Sequence, residues 1–285
     1  MERVILDCDN TLGLPLKEID DGLALLYLLG CDDIELLGVT TTFGNGTAEQ
    51  ATGQTRWLLD EIGRSEIPVL QGEAARHRPP TEAAEFLAAV AAEHPGQITV
   101  LATGPLGNLH AAAKLDPAFF HNVKRIACMG GMRQPLRLGW RSLPELNLSA
   151  NPEAAASVLA APCPVTLMSA EICLQAAFNW RDLRHIRGWR PVFRRTVRRW
   201  LLAFGAYTGE LRFYLWDLVP AVFITHPELF SGEQVQLDLH AAKLEQGALA
   251  PAGGDAGAAV TLPSTITDAG RFRSVLFDTW ARVAG

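Results

Sequence analysis

Apolar and polar positions along this chain predict strands and helices in alternation. Val4-Ile5-Leu6 is a short apolar run that ends at Asp7-Cys8-Asp9-Asn10-Thr11, which reads as a buried strand with acids at its C-terminal end. Asp20-Asp21-Gly22 then opens an apolar run, Leu23 to Leu29, that stops at Gly30 and reads as a buried helix capped by glycine. Ile34 to Thr42 is a second strand, closed by the turn Phe43-Gly44-Asn45-Gly46. Thr47 to Arg64 predicts a helix with Trp57, Leu58, Leu59 and Ile62 on one side. Ile67 to Leu70 is a short strand, Thr81 to Glu93 a helix and Ile98 to Ala102 a strand that turns into a helix through Thr103 to Leu109. Val123 to Met129 is a strand closed by Gly130-Gly131, Asn151-Pro152-Glu153 starts a helix with proline in its first turn, and Val165 to Met168 is a further strand.

From Leu174 to Glu210 the pattern turns helical, with Arg181, Arg184, Arg187, Arg190, Arg194, Arg195, Arg198 and Arg199 recurring every three or four residues. A basic stripe can bind phosphates or a membrane surface; the reading preferred here is a solvated or subunit-facing surface. Asp217 to Ile224 predicts a helix, Val235 to Leu239 and Ala259 to Leu262 late strands, Ala250 to Gly257 a loop, and Phe272 to Val283 a closing helix. Such alternation implies an α/β fold: a three-layer, Rossmann-like, mostly parallel sheet with helices on both faces. A helical insertion is expected near the C-terminal third, at residues 174–230 within a single domain spanning 1–285.

Composition narrows the class. Hydrophobic residues make up 48% of the 285 and charged residues 20%, as in an enzyme with a sizeable core. A net charge of -6 and a pI near 5.7 argue against a nucleic-acid partner. With no basic-then-apolar leader and no long apolar run, no signal peptide or membrane span is expected. Five cysteines without paired spacing fit reduced thiols in a cytoplasm and no zinc site.

The candidate chemistry lies in the acids. Asp7 and Asp9 end a first strand, and Asp20 and Asp21 begin the first helix; in an open α/β sheet that edge binds ligands. Two carboxylates ~4 Å apart repel by roughly 4 kcal/mol at an effective dielectric near 20. The helix N-terminus relieves part of this, and a bound cation can relieve the rest. Oxygen donors without a nearby His or Cys pair favour Ca²⁺ or Mg²⁺. The plainer alternative is helix capping plus solvated loop acids.

Two family resemblances compete. Asp7-Cys8-Asp9-Asn10-Thr11 alone resembles the first motif of haloacid-dehalogenase-type phosphatases, with an Asp nucleophile and Mg²⁺; the late acid that reading needs has only Asp255 as candidate. Over most of its length the chain resembles the inosine-uridine-preferring nucleoside hydrolases. Their opening acids are matched by Asp7, Asp9, Asp20 and Asp21, and Leu37 to Asn45 is similar to their second-strand segment. Gly63-Arg64 with Ile67-Pro68-Val69, Ala102 to Leu109, Met129-Gly130-Gly131, Glu145-Leu146-Asn147, Asn151 to Ala155, and Asp217 before His226 to Phe230 follow in the family's order.

That resemblance implies cleavage of a ribonucleoside's N-glycosidic bond, yielding ribose and free base, in nucleoside catabolism and purine salvage. It implies one Ca²⁺ per chain, held by Asp9, Asp21, Asp217 and the backbone carbonyl of Cys128, with Asp9 also the general base. Asp20, Asn45 and Asn147 would hold ribose hydroxyls, Glu145 the 5′-hydroxyl side, and Asp7 would orient the turn behind them. Small-molecule nucleosides are the expected partners, and a homodimer or homotetramer the expected assembly. The chain departs from the family pattern in three places. Leu12 to Glu18 is inserted between Asp9 and Asp20. Trp216 replaces the His that often precedes the last Asp, and cannot act as an acid but can stack on a base, which leans the reading toward purines. Arg76-His77-Arg78-Pro79-Pro80 stands where a His-Gly segment is common. A ribose- or nucleoside-binding protein without turnover is a further alternative.

Overall fold

The computed structural model describes residues 1–74, 81–253 and 257–285. Its first half runs β1 (Glu2–Cys8), α1 (Asp20–Gly30), β2 (Ile34–Thr41), α2 (Ala48–Glu61), β3 (Val69–Gln71), α3 (Glu82–Glu93), β4 (Ile98–Ala102), α4 (Gly107–Leu115), α5 (Phe119–Asn122) and β5 (Val123–Met129). A hairpin, β6 (Leu136–Leu138) and β7 (Arg141–Leu143), leads to α6 (Pro152–Leu159), β8 (Val165–Met168) and α7 (Ala170–Cys173). Then come β9 (Ala177–Asn179), α8 (Pro191–Thr208), β10 (Arg212–Tyr214), α9 (Leu218–Thr225), β11 (Phe230–Leu237), α10 (Ala241–Leu244), β12 (Ala258–Ile266) and α11 (Ala269–Ala281).

Eight strands form one sheet in the order β11-β12-β8-β5-β4-β1-β2-β3. All neighbours are parallel except β11, which runs antiparallel to β12. Helices cover both faces, so central strands are apolar on both sides. In β1, Val4 and Leu6 pack with α1, α9 and α11, while Ile5 packs with α3, α4 and α6 on the opposite face. All three side chains are fully buried, each worth about 1.5–3 kcal/mol of transfer from water. The α/β, mostly parallel, helix-flanked architecture expected from the sequence is the one observed.

Strand order decides where a site can form. The chain moves from β1 through β2 to β3 on one side, then returns to β4 and continues on the other. The sheet therefore reverses direction between β1 and β4, and the crevice beyond their C-terminal ends is left open by diverging connections. Asp9 and Thr103 sit just past those two ends.

The expected helical stretch at 174–230 is interrupted. Residues 177–179 and 212–214 pair as an antiparallel ribbon, fixed by Phe178 stacked on Phe213 at 5.1 Å. A 3-10 turn at Trp180–Arg184 follows the first of these strands. Within it, Pro191–Thr208 is the long continuous helix, with proline where a missing N–H costs nothing and Gly209, at φ 83°, ending it, and Leu218–Thr225 is a shorter one. Its arginines at 195, 198 and 199 are exposed. The strand expected from residue 67 begins at Val69, because Pro68 has no N–H to offer and contributes only its carbonyl, to Val39. The late strands are longer than expected, Phe230–Leu237 and Ala258–Ile266. Among the described residues no helix is long and apolar enough to cross a membrane.

Candidate active site

Asp7 anchors the floor of the crevice. Its Oδ1 accepts hydrogen bonds from Thr40 Oγ1 at 2.6 Å and Asn108 Nδ2 at 2.7 Å. Asn108 also donates to the Thr41 carbonyl at 3.1 Å and accepts from Glu73 N at 2.8 Å, so one side chain ties the ends of β1 and β2 to the segment after β3. Burial pushes Asp7 up to about 7, against the lowering effect of Asn108 and Thr40.

Above this floor the acids gather. Asp20 and Asp21 occupy the first turn of α1, whose N-cap position, Ile19, supplies no side-chain cap. Asp217 immediately precedes α9, and its backbone N–H donates to Asp20 Oδ2 at 3.2 Å. Asp20, Asp21 and Asp217 each bring one carboxylate oxygen within 4.8 Å of the others. Thr103 Oγ1 donates to Asp21 Oδ1 at 2.7 Å. Asp9 is hydrogen-bonded to Asp21 on one side and accepts the Asn45 backbone N–H on the other. That turn requires Gly44: a Cβ there would collide with Asp9 Oδ2.

The inserted segment adds a carboxyl group to this set. Thr11 Oγ1 donates to the Glu18 carbonyl at 2.7 Å and Lys17 Nζ to the Asn45 carbonyl at 2.6 Å, closing the insertion onto the site. Glu18 and Trp216 both border the cavity beside Asp20. Burial, then the charges of Asp21 and Asp9, push Glu18 up to about 8. Burial and mutual repulsion likewise hold Asp9, Asp20 and Asp217 well above the usual carboxylate range, and burial raises Asp21. Asp20 Oδ1 is buried with no hydrogen-bond partner. Crowded, oxygen-only donors with an orphaned buried oxygen fit a hard divalent cation. The residues suited to hold it are Asp20, Asp21 and Asp217.

A cavity of about 220 Å³ opens beside these acids. Asp20, Asn45, Thr103, Asn147 and Asp217 line its polar end. The hairpin supplies Leu136 and Leu143, α8 supplies Trp200, Phe204 and Tyr207, and Trp216 closes the wall. The spacing 200, 204 and 207 places those three on one helical face. Asn147 Nδ2 donates to the Thr103 carbonyl at 2.8 Å and the Met129 carbonyl at 3.0 Å, so its amide nitrogen is committed to the protein.

Several expectations change here. Cys128 does not border the cavity: it lies inside β5, fully buried between Ala102 and Leu167, with its thiol against the Thr166 carbonyl. Thr103, just past β4, borders the cavity and bonds Asp21 through its hydroxyl. Asp20 rather than Asp9 completes the convergent carboxylate group with Asp21 and Asp217. Glu145 lines the cavity, but its Oε1 accepts from the backbone N–H of Gly131, Asn147 and Leu148, and its Oε2 from Ser149, so it chiefly folds its own loop. Asp7, Asp9, Asp20, Asp21, Asn45, Asn147, Trp216 and Asp217 do meet at one place. The sequence reading passed over Thr103, Glu18 and the aromatic face of α8. The i, i+4, i+7 aromatics were the available signal for the last. Asp255 and Arg76-His77-Arg78-Pro79-Pro80 lie outside the described residues.

Comparison with known proteins agrees with this geometry. The profile described as inosine-uridine preferring nucleoside hydrolase matches residues 4–272. A probable uridine nucleosidase 2 of Oryza sativa subsp. japonica is 29% identical over 81% of this chain and 76% of its own. A pyrimidine-specific ribonucleoside hydrolase of Shewanella woodyi is 26% identical over 81% of each. The solved structure of a purine-preferring ribonucleoside hydrolase from Gardnerella vaginalis superposes with a TM-score of 0.85 at 20% identity, over 98% of both chains, which shows a shared fold.

Proposed function

The chain belongs to the inosine-uridine preferring nucleoside hydrolase family, enzymes that hydrolyse ribonucleosides, and from that membership we propose how its own residues divide the work. The observation that carries the proposal is the meeting of Asp217 with Asp20 and Asp21, residues far apart in sequence, at the mouth of a cavity with one polar and one aromatic end.

Asp20, Asp21 and Asp217 would hold a divalent ion, Ca²⁺ in this reading, which would supply Lewis acidity to a nearby water and to sugar hydroxyls. Asp9, beside Asp21, takes the proton from the attacking water. Asp20, Asn45 and Asn147 orient ribose hydroxyls, and Thr103 fixes Asp21 through its hydroxyl. Positive charge that develops on the sugar as the C1′–N bond breaks meets a pocket of carboxylates, which favours the transition state over the neutral ground state. Asp7 stays behind these groups, tying β1 to β2 and α4.

At the aromatic end, Trp200, Phe204, Tyr207 and Trp216 line the space left for the leaving base. A purine covers more of that surface than a pyrimidine, so the preference we propose is purine over pyrimidine. The test is a panel of purine and pyrimidine ribosides, each assayed for free ribose with and without chelator, with p-nitrophenyl phosphate beside them. Ribose release that survives complete metal removal, or turnover of the phosphate ester alone, would reject this function. Binding of ribosides without turnover would identify a binding protein instead.

A further inference from the structure

Resting on that function, we propose that Tyr27 is a positioning residue for the metal site. Through Thr225 it fixes the register of α1 against α9, and so the placement of Asp20 and Asp21 relative to Asp217. The first observation is what the two helices are made of. Leu23 to Leu29 of α1 is apolar except for the Tyr27 hydroxyl, and Leu218 to Ile224 of α9 is apolar throughout, with Thr225 the one polar side chain that follows. Apolar surfaces attract without direction, so they set the register of one helix along the other only weakly.

The second observation is where those two hydroxyls lie. Tyr27 Oη and Thr225 Oγ1 are 2.6 Å apart, across 198 residues of chain. Thr225 Oγ1 also donates to the Val222 carbonyl at 3.1 Å and lies 2.9 Å from His226 Nδ1. A hydroxyl has one proton and two lone pairs. With its proton on Val222, Thr225 accepts from Tyr27 and from His226, and its bonding capacity is filled. Tyr27 is fully buried. Phenylalanine would fill the same space with no polar group to satisfy, so what the hydroxyl adds is direction rather than apolar burial.

The two helices are thus linked at both ends. Their N-terminal ends meet at the site, where the Asp217 N–H donates to Asp20 Oδ2 at 3.2 Å, so they run parallel. Tyr27 and Thr225 stand two turns further along, about 10–12 Å down each axis at ~1.5 Å per residue. Repulsion among Asp20, Asp21 and Asp217 opposes their convergence. The far link holds α1 and α9 in the register at which the three carboxylates meet. Tyr27 does not border the cavity, so its effect on the site passes through the helices.

The test uses chelator-stripped parent protein, Tyr27→Phe, Thr225→Val and the double variant. Each is titrated with calcium in a calorimeter and melted in chelator and in saturating calcium. The expected result is a calcium Kd raised about two- to tenfold in each single variant, the range for one lost hydrogen bond, with the double variant no weaker than the weaker single one. The rise in melting temperature that calcium brings shrinks in step. A hydroxyl pair that only stabilises the fold would lower both melts alike and leave the calcium Kd of the folded protein unchanged; that result overturns the positioning role and leaves the metal site standing. A double variant whose losses add does the same, since the two hydroxyls would then act apart. A parent protein that binds no calcium overturns the metal site and the positioning role together.

Discussion

The backbone N–H of Asp217 donates to Asp20 Oδ2 at 3.2 Å, joining the turn before α9 to the first turn of α1 across 197 residues of chain. Each residue alone is an ordinary acid at a helix start. Together with Asp21 they form a buried group of like charges that the protein must either protonate or fill with a cation. The enzymatic reading follows from that choice, and so do the predictions below.

Removing one of the three acids has opposite effects in the two states. Asp217→Asn lowers calcium affinity by at least ~100-fold, beyond the range of an outer-shell change. In chelator the same variant melts above the wild type, because one repelling charge has gone. Thermal melts of both proteins with and without calcium check this; a chelated variant that melts lower contradicts the crowding argument.

The metal-free protein loses stability as pH rises. Asp7 is pushed up to about 7 and Glu18 up to about 8, with Asp9, Asp20 and Asp217 also raised. A carboxylate with a raised folded-state pKa is protonated in the native state while the unfolded chain has already ionised. Its stabilising contribution is whole below about pH 4 and is lost as pH climbs through the folded value. The melting temperature in chelator therefore falls between about pH 4 and pH 8. Saturating calcium flattens that slope, since cation binding favours the ionised acids and releases protons. A chelated protein most stable at pH 8 would contradict the raised values.

Asp9 separates catalysis from binding. Asp9→Asn lowers kcat by ~10²–10⁴, the usual contribution of a general base, while Asp20, Asp21 and Asp217 keep calcium bound. Steady-state kinetics beside calcium calorimetry distinguish this from a ligand role, in which affinity and kcat fall together.

Asn108 is a structural keystone without chemistry of its own. Asn108→Ala removes one hydrogen bond each from Asp7 Oδ1, the Thr41 carbonyl and the Glu73 N–H, each worth about 0.5–1.5 kcal/mol, while Asp7 keeps Thr40 and the Thr41 carbonyl keeps the Gly72 N–H. The melting temperature falls by ~2–4 °C per kcal/mol lost, and activity falls with it. A variant as stable as the parent would show that the network relaxes without cost.

Local pattern carried most of the fold. Strand and helix periods were legible wherever one face is buried, as in Val4-Ile5-Leu6 and Leu23 to Leu29. The pattern misread residues 174–190 because recurring arginines have helical spacing in any exposed segment, and the Phe178–Phe213 stack that makes 177–179 a strand is a distant contact. Site acids were legible because they flank the ends of regular elements. Sequence shows which backbone turns but not which residue borders the crevice, so the burial of Cys128 inside β5, opposite Ala102 at the end of β4, was not legible. Glu18 was hidden in an insertion whose closure rests on Thr11 and Lys17.

The central claim is that three carboxylates from two distant helix starts hold one divalent ion. Titration of chelator-stripped protein with calcium in a calorimeter tests it most directly. The account predicts one ion per chain, proton release that varies with buffer, and loss of the binding heat in Asp20→Asn, Asp21→Asn and Asp217→Asn. Absence of binding in the parent protein, or full binding in all three variants, would contradict it.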